Sequence, residues 1–172
     1  MAEALAKITE LKDLGMVQIR ADLVRAGDAI AAATGLAMPA ANATVTDGAR
    51  TLCWMSPDEL LLVLPKAEAR EATQALADAL STEHALVLDV SDMRAAFAIE
   101  GARAAQALAK LCPADIAAMP ADGIRRTRAA QVACGIWRRG EGFVLIGFRS
   151  VGDYIGGLLR GAARPGTELD PR

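Results

Sequence analysis

The chain has 172 residues, of which 53% are hydrophobic and 3% aromatic, and its 19 basic and 21 acidic side chains leave a formal charge of −2. That length suits one domain, or two closely packed halves, able to bury about 70% of the surface an unfolded chain exposes, so neither disulfides nor metal are needed for a core. The charge balance lacks the positive field of a general nucleic-acid binder, and Cys53, Cys112 and Cys134, widely spaced and accompanied by the single histidine His84, support neither a zinc site nor a disulfide framework.

No basic-then-apolar leader opens the sequence and no apolar run approaches the ~20 residues of a membrane span, so a cytoplasmic location and no membrane partner are expected. Val17 and Ile19 alternate with their neighbours at period two, as a half-buried strand requires. Asp22 is a suitable N-cap for a helix whose inward face carries Leu23, Ala26, Gly27, Ile30, Ala31 and Thr34, and Gly35 ends it. Residues 43–46 and 51–55 read as strands joined through Asp47-Gly48, which favours the positive φ angles of a tight hairpin. Pro57 suits the second position of a turn over 56–59. The unbroken apolar run 60–64 predicts a central strand covered on both faces. A helix over 67–80 follows, with Ala69, Ala72, Leu76, Ala79 and Leu80 inward.

The same order then returns. Residues 8–22 align with 88–102 at an offset of 80, placing Phe97 and Ile99 where Val17 and Ile19 stand. A helix from 102 turns Ala104, Ala105, Leu108 and Leu111 inward until Cys112-Pro113 stops it. Trp54 matches Trp137 at an offset of 83, and the same offset lays 60–64 on 143–147. The two tryptophans are therefore expected to share one packing role, beside Cys53 and Cys134 as small buried groups. Residues 138–142 form the turn before a strand over 143–148. Ser150 and Asp153 have the spacing of a capping box for a final helix with Val151, Tyr154, Ile155, Leu158 and Leu159 buried. Gly156-Gly157 inside that helix implies close approach of another backbone, either the chain's own sheet or a partner. The expected fold class is α+β: one globular domain over 1–172 made of duplicated ββαβββα, ferredoxin-like units at 8–80 and 86–162, with a mobile tail over 163–172.

The order of residues 88–93, a strand, then 100–105 and 111–116 resembles the aminomethyltransferase (glycine cleavage T-protein) superfamily. That resemblance implies a folate-binding-domain-like fold with first strands exchanged between halves. A narrower resemblance rests on Thr34-Gly35-Leu36, Trp54-Met55-Ser56-Pro57-Asp58-Glu59-Leu60, Asp89-Val90-Ser91-Asp92, Lys110-Leu111-Cys112-Pro113 and Phe148-Arg149-Ser150-Val151. It covers about 8–162 and is to the gamma subunits of heterotetrameric sarcosine oxidase. The resemblance implies a non-catalytic assembly subunit within a complex that demethylates sarcosine to glycine, passing the one-carbon unit to tetrahydrofolate and electrons to oxygen. It implies alpha, beta and delta partner subunits holding FAD, FMN, NAD, tetrahydrofolate and zinc, and no cofactor bound by this chain. Aminomethyltransferases carry an Asp where this chain has Gln131 and Val132, so no one-carbon transfer by this chain alone is expected.

Asp89 and Asp92 read either as an acid and base pair or as a strand end whose carboxylates bond nearby amides. Ser56, Ser91 and Ser150 have no base near them in sequence, and His84 sits in a linker-like setting. Arg125, Arg126, Arg128, Arg138, Arg139 and Arg149 form the candidate site. Brought together by a sheet they would hold an anionic partner surface or a folate polyglutamate tail, and otherwise they guard a solvated strand edge. Two further function classes stay open: a free-standing folate-binding aminomethyltransferase-like enzyme, and a small-ligand-binding regulatory domain.

Overall fold

Residues 3–169, the part of the chain described by the computed structural model, fold as ββαβββα written twice. The first copy is β1 (Lys7–Glu10), β2 (Leu14–Arg20), α1 (Leu23–Thr34), β3 (Thr44–Asp47), β4 (Arg50–Ser56), β5 (Glu59–Pro65) and α2 (Ala69–Ala79). The second is β6 (Leu86–Asp89), β7 (Arg94–Glu100), α3 (Ala104–Ala109), β8 (Ile124–Ala129), β9 (Val132–Arg139), β10 (Gly142–Phe148) and α4 (Gly152–Ala162). The chain divides into a contiguous unit, Asp13–Asp92, and a composite unit built from residues through Lys12 together with those from Met93 onward.

In the contiguous unit an all-antiparallel sheet runs β3-β4-β5-β2-β6. Strand alternation sends Val17, Ile19, Leu52, Leu60, Leu62 and Leu64 to the face where Ile30 of α1 and Leu76 of α2 pack, and all are fully buried. Each such side chain contributes roughly 1.5–3 kcal/mol. The intervening Leu61 and Val63 are buried as well, so β5 is withdrawn from water on both sides, as its unbroken apolar run requires. Helix α1 starts because the Asp22 carboxylate accepts the amides of Val24 and Arg25 at 3.0 and 3.2 Å, and it stops where Gly35 turns left-handed at φ 71°. The first hairpin closes through Gly48 at φ 55°. In α2 the expected inward Ala79 is exposed, and Ala69, Leu76 and the following Leu80 carry the packing.

The composite unit repeats the plan with sheet order β1-β7-β10-β9-β8, again antiparallel throughout. Its edge strand β1 comes from the first copy, while β6, from the second, completes the contiguous unit beside β2. The first strands are therefore exchanged. Phe97, Ile99, Ile136, Phe143 and Leu145 face Leu108 of α3 with Ile155 and Leu159 of α4.

Three further expectations need correction. The tryptophans are not equivalent. Leu60 pairs with Trp54, but its counterpart Phe143 pairs with Arg138, because β4 carries a bulge between Trp54 and Ser56 that β9 lacks. That single residue turns the side chains to opposite faces: Trp54 packs partly buried against the helix-side core, and Trp137, opposite Val144, is buried on the other face. The Ser150 capping box is not formed either. Residues Arg149–Val151 make a 3-10 turn, Val151 is the N-cap, and no side chain bonds to the helix start. Finally, Tyr154 of the supposed buried stripe is 48% exposed.

Of the expected tail over 163–172, residues 170–172 lie outside the described residues. Before them Ala163 is buried, and Lys110 bonds the Ala162 carbonyl and the Thr167 hydroxyl at 2.8 and 2.7 Å.

Candidate interaction surface

The six arginines singled out from sequence are distributed by strand alternation rather than gathered. On edge strand β8, Arg126 and Arg128 stand opposite Gly135 and Ala133 and are exposed on one sheet face, whereas Arg125, opposite Ile136, points to the helix side. Arg139 shares the face of Arg126 and Arg128 but sits at the far end of β9. Arg138 belongs to the other face. Its guanidinium donates to the carbonyls of Met119 and Ala117 at 2.7 and 3.0 Å and lies 4.9 Å from the Phe143 ring centre, so it staples the segment before β8 to the sheet. Arg149, after β10, is 3.6 Å from Glu10 of β1. Arg126 and Arg128 thus charge a sheet edge, while Arg138 and Arg149 are engaged within their own unit.

The carboxylate pair resolves into local turn chemistry. Asp89 accepts the Ser91 amide and hydroxyl, Ser91 in turn accepts the Met16 amide at 2.9 Å, and Asp92 meets Lys66 at 2.7 Å. Ser56 donates to Asp58 at 2.6 Å, and Arg20 adds a bond of 2.9 Å. Those two bonds hold the Asp58 carboxyl below its ordinary range. Where aminomethyltransferases are expected to carry an Asp, Gln131 is exposed in the β8–β9 turn and Val132 packs on the core. Among the described residues no three His, Cys, Asp or Glu side chains lie together as a metal site, and no helix is long and apolar enough to cross a membrane.

Sequence spacing gave no sign that Cys112 and Cys134 would meet. Both are buried in the core of the composite unit, where the neighbouring Cys112 thiol and burial together push Cys134 above the usual thiol range. Burial alone pushes Cys53 up and leaves it an inert packing group.

Two surface features also escaped sequence reasoning. A cleft of about 680 Å³ is lined by residues 3–7, Glu100, Arg103 and Glu168, with Arg103 and Glu168 3.5 Å apart. An open groove of about 480 Å³ runs along α4, floored by Gly157, Leu158 and Gly161 and walled by Tyr154, Lys110 and Leu111. Neither is lined by a Ser, Thr, Cys or His side chain.

The sequence matches the sarcosine oxidase, gamma subunit family over residues 20–164. It is 39% identical to a sarcosine oxidase subunit gamma from Corynebacterium sp. (strain U-96) over 123 residues, covering 66% of this chain and 56% of that relative, little more than half its length. Among solved structures, a chain of the heterotetrameric sarcosine oxidase from Corynebacterium sp. U-96 in complex with pyrrole 2-carboxylate superposes with a TM-score of 0.86 and 25% identity, over 97% of this chain and 88% of that one. The glycine cleavage system aminomethyltransferase T from Bartonella henselae shares the fold at a TM-score of 0.65 and 15% identity, over 93% of this chain and 46% of that one. The chain belongs to the sarcosine oxidase gamma subunit family.

Proposed function

We propose that the chain is the gamma subunit of a cytoplasmic heterotetrameric sarcosine oxidase and contributes contacts rather than catalysis. It would assemble with alpha, beta and delta subunits that carry FAD, FMN, NAD, tetrahydrofolate and zinc. The observation that carries this reading is correspondence over 97% of the chain with a chain of a heterotetrameric sarcosine oxidase. The side chains support a passive role. The Asp89 and Asp92 carboxylates are used in turns and ion pairs, and the position expected of a transfer carboxylate holds Gln131.

Co-expression with the other three subunits followed by size exclusion tests the reading. The chain is expected to elute with the flavin-bearing assembly and, purified alone, to hold no flavin and oxidise no sarcosine. Elution as a separate monomer beside the assembled remainder would overturn it. The shared fold with an aminomethyltransferase gives a second reading, a folate-binding enzyme. Titration of the isolated chain with tetrahydrofolate separates the two, since micromolar binding with methylene transfer requires the second.

A further inference from the structure

Of the four strands that end the two sheets, three carry charge or a polar row along the edge. Strand β8 holds Arg125, Arg126 and Arg128, β1 begins on Lys7 and ends on Glu10, and β3 sets Thr44 and Thr46 before a closing Asp47. Strand β6 is the exception. Its Leu86-Val87-Leu88 run has no charge, proline or glycine. Leu86 and Leu88, opposite Arg20 and Gln18, are 45% and 44% exposed on one face, while Val87 turns to the helix-side core. The pair after Val17 and Asp89 is Met16 with Val90, whose amide donates to the Met16 carbonyl at 2.8 Å, and this fixes the phase of the ladder. Leu86 and Leu88 bond inward to β2, so the amides and carbonyls of Ala85, Val87 and Asp89 point away from the sheet. Residues 84–89 are exposed apart from the half-buried Val87.

An outward row of backbone donors and acceptors is matched by another extended strand, so the edge itself sets the form of its occupant. Register sets the sequence. Only outward-pointing residues can bond one another across such a seam. A two-fold axis through Val87 pairs Val87 with its own copy and Ala85 with Asp89, and it places Leu86 of each copy directly opposite Leu88 of the other on one face. No like charges meet, since Asp89 faces Ala85, and Glu83 and Asp92 are already held by Arg25 and Lys66 at 3.2 and 2.7 Å. On β8 the same operation brings arginine against arginine whichever of residues 125–128 the axis crosses. We infer that the edge of β6 joins the free chain to a second copy of itself, extending the sheet of the contiguous unit across the seam and burying the exposed leucines between the copies. Strands this short cover less than the about 1,200 Å² of a stable interface, so the pairing is weak and depends on concentration. It goes beyond the gamma-subunit reading and does not depend on it.

Sedimentation velocity of the purified full-length chain over a rising concentration series is the test. The parent is expected to pass from monomer to dimer, and Leu88→Lys, which puts a charge at the seam, to weaken that step at least tenfold. Ala85→Pro removes an outward amide at an exposed position; it is expected to weaken the step severalfold and decides the matter should Leu88→Lys melt early. Val24→Ala, at a 95% exposed position on α1, is expected to leave the step unchanged. A parent that stays monomeric throughout overturns the inference, as does a dimer that neither Leu88→Lys nor Ala85→Pro weakens, or that Val24→Ala weakens equally. A monomeric parent whose entry into the four-subunit complex is lost in Leu88→Lys assigns the edge to a strand of another subunit and overturns the inference as well. Co-elution of the parent with the other subunits is read separately, so the gamma-subunit reading stands or falls on its own result.

Discussion

At Gly147, in the central strand of the composite sheet, an added methyl would fall 2.4 Å from Cδ1 of Ile155, so Gly147→Ala has to turn that buried side chain out of its packed place. A loss of about 1–3 kcal/mol is expected, read as a lower thermal midpoint of the isolated chain. Gly161→Ala, with nothing within 4 Å, is expected to raise it by about 0.5–1 kcal/mol through helix propensity alone. Asp58 makes a prediction of a different kind. Its folded-state pKa is lowered by the Ser56 and Arg20 bonds, so its contribution is present above the unfolded carboxylate pKa of about 3.9 and is lost as pH falls through the folded value. Asp58→Asn should therefore melt below the parent at pH 7, with the gap narrowing as pH drops below about 4. At this scale the caps were legible, because Asp22 accepts amides, and Gly35 donates its own amide to a carbonyl, within a single turn. The tryptophan alignment was not, because one bulge residue near Met55 decides which face a side chain takes and leaves no mark in composition.

Edges divide the elements by chemistry. Strand β8 is the outer strand of its sheet and carries three arginines, Arg126 and Arg128 on one face and Arg125 on the other, a charge pattern that discourages pairing with a foreign strand. Strand β1 is held differently. It pairs only with β7, its neighbour Leu5 is 2% exposed, and the Leu5 amide bonds the Ala163 carbonyl at 2.9 Å. Deleting residues 1–12 is expected to cost the composite unit more than about 2 kcal/mol, with faster amide exchange across β7 and unchanged protection in β2 and β5. The central strands β5 and β10 were legible from their apolar runs. The start of α4 was not: the Ser150–Asp153 spacing suggested a side-chain cap, whereas the helix begins where Gly152 fits against Ala95. Tertiary packing fixed that boundary.

For the molecule as a whole, duplication was visible because helix and strand periods survive divergence of the individual residues. The exchange of first strands was not written in any local pattern; it came only through family resemblance, since short strands such as Lys7–Glu10 and Leu86–Asp89 would fit either sheet by composition. The arginine site was the least legible part. Neighbours in sequence on a strand are opposites in space. The exchanged strands also bear on biosynthesis. Asp13–Asp92 is one uninterrupted stretch, so all of its sheet and both of its helices are synthesised before Met93. Lys7–Glu10, translated before that unit, have no partner strand until Arg94–Glu100 has been synthesised. Strand β1 must therefore wait unpaired while the whole of the intervening unit is made.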